Sequence, residues 1–194
     1  MRRFLIGFEK FPIKLEDVRS GTNSPQVITA SRCVNVGLFL SGNMRRNVEI
    51  VISIGKGSDL EVISFPGWQL RRVSPDERSI AYFLLKALYE LQNMNEEEMV
   101  EMPNGIILMK TNVDSLIESW DSLEVFLATT NAEWKTMEEA MEHAVYIFPT
   151  SDRLYFDQCN INMQPIWKPA YPERFILDIN MVQDRRLGCI GKSS

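Results

Sequence analysis

The run Val48-Glu49-Ile50-Val51-Ile52-Ser53-Ile54 constrains the fold more than any other stretch of this chain. It is too short for a core helix, and a near-continuous apolar run of this kind reads as a strand covered on both faces. Such a strand needs helices above and below it, and the neighbouring sequence supplies them. Short apolar runs at 3–8, 48–54, 60–65, 105–110, 124–128 and 145–148 alternate with helical patterns at 27–40, 75–92, 113–120, 135–143 and 173–187. This alternation predicts an α/β fold with a mainly parallel sheet flanked by helices.

The best-marked helix is 75–92. Ser74 is expected as its N-cap, with Pro75 at the first helical position, Asp76 in the first turn and Glu77 closing a capping box. Ile80, Phe83, Leu84, Ala87, Leu88 and Leu91 then share one face at helical spacing. Other stretches are weaker. The segment 9–25 reads as a long loop of the kind that often carries function, and 69–73 as a strand beyond a turn at Pro66-Gly67. The acidic 95–102 reads as a surface turn or short helix, and 149–171 as irregular with turns near Ile166-Trp167.

Length and charge narrow the class. The 194 residues make one domain, 1–194, large enough to bury a core. The net charge of −5 argues against a protein that coats nucleic acid generally, while leaving room for a local basic patch. No apolar run reaches a membrane span, and Met1-Arg2-Arg3-Phe4-Leu5-Ile6 is too short for a signal peptide, so a cytoplasmic location is expected. The three widely spaced cysteines, Cys33, Cys159 and Cys189, suit reduced thiols. With one histidine, His143, no zinc pattern can be assembled, and no metal is expected.

Four runs carry a resemblance: Ser31-Arg32-Cys33-Val34-Asn35, Phe39-Leu40-Ser41, Arg45-Arg46-Asn47-Val48-Glu49 and Ser74-Pro75-Asp76-Glu77-Arg78-Ser79. Together they resemble the archaeal family that methylates N1 of the T-loop pseudouridine in tRNA, within the SPOUT superfamily of S-adenosylmethionine-dependent methyltransferases. The resemblance implies a SPOUT-like domain with a C-terminal trefoil knot, S-adenosylmethionine as cofactor, tRNA or another structured RNA as partner, and a homodimer. Asn47 stands where the family has an aspartate, so the resemblance assigns no catalytic base. It implies cofactor contacts from Leu127, Phe148, Pro149, Trp167, Lys168 and Phe175, and RNA contacts from Arg32, Arg45 and Arg46. The later half departs from the family pattern, with Pro149 in place of a loop glycine and Phe175 of a pocket cysteine; on the substrate side, before Arg32, Gln26 and Ile28 stand where the family has an arginine and an aspartate. Methylation at N1 requires loss of a ring proton, which neither Ile28 nor Asn47 can accept.

Each candidate also has a structural reading. Arg32, Arg45 and Arg46 either face RNA or pair with surface carboxylates. Trp167, Tyr171 and Phe175 form either an aromatic platform or part of the core or dimer interface. Cys33 reads as a small buried hydrophobe, and His143 as structural or exposed. Asp178, Asp184, Arg185 and Arg186 read as a solvated or subunit-facing side of the last helix. Two functions therefore stand: an S-adenosylmethionine-dependent RNA methyltransferase, or a degenerate member that keeps fold, dimer and RNA binding without methyl transfer.

Overall fold

The computed structural model describes residues 1–96, 98–120, 123–151 and 161–186. Cys159, Cys189 and the 187 end of the last helix lie outside the described residues. In chain order the elements are β1 (Arg2–Phe8), α1 (Leu15–Ser20), α2 (Pro25–Leu38), β2 (Phe39–Leu40), β3 (Asn43–Met44), β4 (Val48–Lys56), β5 (Asp59–Pro66) and α3 (Glu77–Leu91). There follow β6 (Met99–Glu101), β7 (Ile107–Thr111), α4 (Val113–Glu118), β8 (Glu124–Thr129), a 3-10 turn over Trp134–Glu139, β9 (Ala144–Pro149), β10 (Gln164–Trp167) and α5 (Pro172–Arg186).

Eight strands form one sheet in the order β10-β8-β9-β1-β4-β5-β7-β6. The strands from β10 to β4 run parallel, and β5, β7 and β6 continue the sheet antiparallel. Side chains alternate across a strand. Phe4, Ile6 and Phe8 therefore join Ile50 and Ile52 under α2, α3 and α5. Leu5 and Val51 face the other way, onto Val113, Leu116, Ile117 and Trp120 around α4. Both faces of β1 and β4 are covered, which is the condition the apolar run at 48–54 requires.

Four local expectations are corrected. The segment 9–25 contains α1, whose Glu16, Asp17 and Arg19 complement its dipole and whose Gly21 caps it at φ 78. Residues 69–73 form no strand, because the Gln69 and Leu70 N–H groups turn back onto the Pro66 carbonyl at 3.2 and 3.0 Å. Within the acidic stretch, Met99–Glu101 pairs with β7 as an edge strand, where pairing overrides composition. Gln164–Trp167 is also a strand; it lies at the other sheet edge, where Pro165 is tolerated.

The start of α3 shifts by two residues. Asp76, not Ser74, is its N-cap, and its carboxylate accepts the Ser79 N–H at 2.8 Å. Arginine-rich 71–72 and Pro75 therefore stay in the connecting segment. Cys33 is fully buried, as a small hydrophobe should be, and burial together with nearby Glu173 pushes its thiol pKa up.

Tyr146 sits at the centre of the aromatic core, stacked 5.3 Å from both Phe4 and Phe126. Its hydroxyl donates to the Met141 carbonyl at 2.7 Å and accepts the Met141 N–H. Burial raises its pKa, so the folded chain holds this proton more tightly than the unfolded chain. Stability is then fully present below the unfolded tyrosine pKa of about 10 and falls as pH rises above it. Tyr146→Phe is expected to cost about 1–2 kcal/mol near neutral pH and to flatten the alkaline decline. Denaturant melts at about pH 7 and about pH 10.5 check this, and an equal alkaline loss in both proteins would refute it.

Candidate functional site

The carboxyl ends of β1, β8, β9 and β10 open on a cleft of about 500 Å³. Phe8 ends β1, Phe148 and Pro149 end β9, Thr130 follows β8, and Lys168, Pro169, Ala170 and Tyr171 follow β10. The first turns of α2 and α5 close the cleft with Pro25, Gln26, Thr29 and Pro172. Open α/β sheets bind ligands at this end because the connecting loops and helix starts converge there.

The polar complement of the cleft is uneven. Proline has no N–H, so Pro149 offers no main-chain donor. Thr150 is also engaged, its N–H and hydroxyl both reaching the Gly7 carbonyl, at 3.0 and 2.7 Å. The other polar side chains on the cleft wall include Gln26, Thr29, Thr130 and Lys168. The Lys168 ammonium lies 5.3 Å from the centre of the Phe148 ring and supplies positive charge, while no described lining residue is a carboxylate. This donor set, with an apolar wall of Phe8, Phe148, Pro149 and Pro169, fits a nucleoside that carries an anionic tail.

Three expected cofactor residues, Phe148, Pro149 and Lys168, meet in this cleft. The other three do not line it. Phe175 is fully buried beneath the floor, 5.4 Å from Phe148 and edge-on to Phe4 and Tyr146 at 6.5 and 6.3 Å. Trp167 crosses Trp134 at 4.8 Å, and its main-chain N–H donates to the Thr136 hydroxyl at 2.9 Å. Leu127 packs on the α4 face of the sheet, the consequence of strand alternation next to inward-facing Phe126. Sequence reasoning missed Thr29, Thr130 and Pro169. Only strand order brings them together, although each adjoins a predicted strand or helix.

A charged network occupies the amino-terminal ends of the central strands β1 and β4, opposite the cleft. Asn47 donates to Glu142 at 2.6 Å, Glu142 faces Arg2 at 3.3 Å, Arg2 faces Asp184 at 3.3 Å, and Asp184 faces Arg45 at 2.9 Å. Arg45 also donates to the Val36 and Gly37 carbonyls near the end of α2, at 3.2 and 3.5 Å. Arg46 donates to the Gly67 and Leu70 carbonyls at 2.9 and 3.5 Å. Arg32 is open to solvent, with its side chain 61% exposed and a loose 3.7 Å pairing with Glu173. Asp178 and Asp184 are not on a solvated helix side: Asp178 is buried against Arg174, and Asp184 is held between the two arginines. Arg186 likewise donates inward, to the Glu138 and Ala140 carbonyls.

The two ends of these strands are far apart within one chain. Arg2 is in register with Val48 and Gly7 with Pro149, so about six residues of strand, roughly 20 Å, separate Asn47 from the cleft. Among the described residues no cluster of metal-binding side chains occurs, and no helix is long and apolar enough to cross a membrane.

Residues 1–148 match a family described as SAM-dependent RNA methyltransferases. A tRNA (pseudouridine(54)-N(1))-methyltransferase from Methanocella arvoryzae is 33% identical over 143 residues, covering 71% of this chain and 72% of that protein. The protein of the same name from Haloferax volcanii is 26% identical over 80% of this chain and 74% of its own length. The crystal structure of Archaeoglobus fulgidus Nep1 bound to S-adenosylhomocysteine shares the fold, with a TM-score of 0.56 and 9% identity over 94% of this chain and 98% of that one.

Proposed function

Because the chain belongs to the family of SAM-dependent RNA methyltransferases matched by residues 1–148, we propose that it methylates N1 of a pseudouridine in tRNA, with its cofactor in the cleft at the carboxyl ends of β1, β8, β9 and β10. The cleft is the observation that carries this reading: it has the volume, apolar wall and cationic side chain that an adenosyl amino acid requires. S-adenosylmethionine, when bound, supplies an electrophilic methyl group. Lys168 is suited to hold the carboxylate of the amino-acid part, and Gln26, Thr29 and Thr130 to hydrogen-bond its hydroxyls. Phe8, Phe148, Pro149 and Pro169 wall off water from the adenine side. With no carboxylate among the described residues that line the cleft, the groups described there act through proximity and orientation.

Asn47 and Arg46 cannot reach the cleft of their own chain. The reading therefore includes a homodimer in which one subunit's Asn47 end faces its partner's cleft. It also includes one SPOUT-like domain over 1–194, with a C-terminal trefoil knot.

Calorimetric titration with S-adenosylhomocysteine, and transfer of labelled methyl to a pseudouridine-containing tRNA transcript, test the proposal. Thr29→Trp places an indole in the cleft and is expected to weaken S-adenosylhomocysteine binding at least about 100-fold, with the fold retained. No heat from the wild-type protein at about 1 mM ligand would sink the cofactor reading. The β9 loop, with its missing donor at Pro149 and its engaged Thr150, favours a second reading: a member that binds RNA without methyl transfer. Binding of the transcript with no labelled product would select it.

A further inference from the structure

The connection from β5 to α3 leaves the sheet beside Arg46, at the start of β4, and is braced by several hydrogen bonds. Its Gln69 side chain donates to the Gly105 carbonyl at 3.1 Å, the Arg71 N–H donates to the Asn104 carbonyl at 2.9 Å, and Arg46 braces the Gly67 and Leu70 carbonyls. Gly67 fits there only because it has no Cβ, which would collide with the Arg45 carbonyl oxygen. On this frame Trp68 is 40% exposed. Arg71 and Arg72 are exposed, and among the described residues their side chains have no hydrogen bond or ion pair. Arg2, Arg3, Arg32, Arg45 and Arg174, by contrast, each face a carboxylate. Arg72 also adopts a left-handed backbone, φ 57, uncommon for a residue with a side chain.

We propose that Trp68, Arg71 and Arg72 form an RNA-docking surface, in which the indole stacks on an unpaired base and the two guanidiniums take neighbouring phosphates. The proposal rests on the RNA methyltransferase reading and adds to it a place for the substrate outside the cleft. On a chain of net charge −5, most of the surface repels a polyanion, so uncompensated arginines decide where it lands. An aromatic side chain beside them favours nucleic acid over an acidic peptide, because every base offers a face to stack on. A braced frame reduces the ordering cost of that contact.

The test is filter binding of a pseudouridine-containing tRNA transcript across a salt series, using the full chain and two variants. Arg71→Gln with Arg72→Gln is expected to weaken binding at least about tenfold and to reduce the slope of log affinity against log salt by about 2. Trp68→Ala is expected to weaken binding about tenfold with the slope unchanged. Both variants should keep the wild-type thermal melt and the wild-type heat of S-adenosylhomocysteine binding. Affinity and slope equal to wild type in both variants would overturn the surface and leave the methyltransferase reading standing. Wild-type protein that binds no transcript would overturn both. Competition by polyglutamate as strong as by RNA would overturn the nucleic-acid assignment in favour of an acidic partner.

Discussion

Phe175→Ala is expected to lower the unfolding free energy by about 4 kcal/mol and the melting temperature by about 10 °C. The ring is fully buried and touches Phe4, Tyr146 and Phe148, three aromatic residues from two adjacent parallel strands. Removing it deletes the apolar area of a whole ring and leaves a hole that close-packed, stacked neighbours cannot collapse to fill. Phe148 lies between that hole and the cleft, so the variant should also bind S-adenosylhomocysteine more weakly. Phe175→Leu, which keeps most of the volume, should lose about half as much. Urea melts measure these values, and a loss below about 1 kcal/mol for the alanine variant would show that the ring is not part of the core.

Asp184→Ala is expected to cost about 3 kcal/mol through a different mechanism. One carboxylate oxygen lies 3.3 Å from Arg2, whose side chain is 1% exposed, and the other lies 2.9 Å from Arg45, which is 10% exposed. Deleting the carboxylate leaves two nearly buried guanidiniums with one fewer counter-charge; Arg2 keeps Glu142, and Arg45 keeps only main-chain carbonyls. Breaking a buried pair costs more than forming it contributes, because the remaining charge stays out of water. Asp184→Asn retains an acceptor and should cost less than the alanine variant. A double cycle with Arg45→Met separates the pair from the rest of the network, and a coupling near zero would refute it.

These two positions also mark the limits of sequence reading. Phe175 and Asp184 lie on a helix whose existence and length were legible, but their surroundings were not. Phe175 was left open between a pocket wall and the core, and Asp184 was expected on a wet or subunit-facing surface. Helical periodicity gives the face of a residue but not what that face meets. Leu127 illustrates the same limit on a strand: its alternation with Phe126 was visible, but which of the two would face the cleft side depended on the sheet's packing. The arginines of the Arg45-Arg46 run were recognisable as a pair; that they brace Asp184, α2 and the Gly67 turn depended on three segments distant in sequence.

The sequence by itself determined the α/β class, the covered strand at 48–54, the helix from 77 to 91 to within two residues, and the family, through short local runs. Those features depend on propensity, capping and alternation, which act over a few residues. The tertiary structure alone decided which strand ends meet, and hence that Phe8, Thr130, Phe148 and Lys168 share one cleft. It also decided which arginines find a carboxylate among the described residues and which, Arg71 and Arg72 among them, do not. Long-range pairing is set by burying whole faces against one another, and no window of neighbouring residues contains that information.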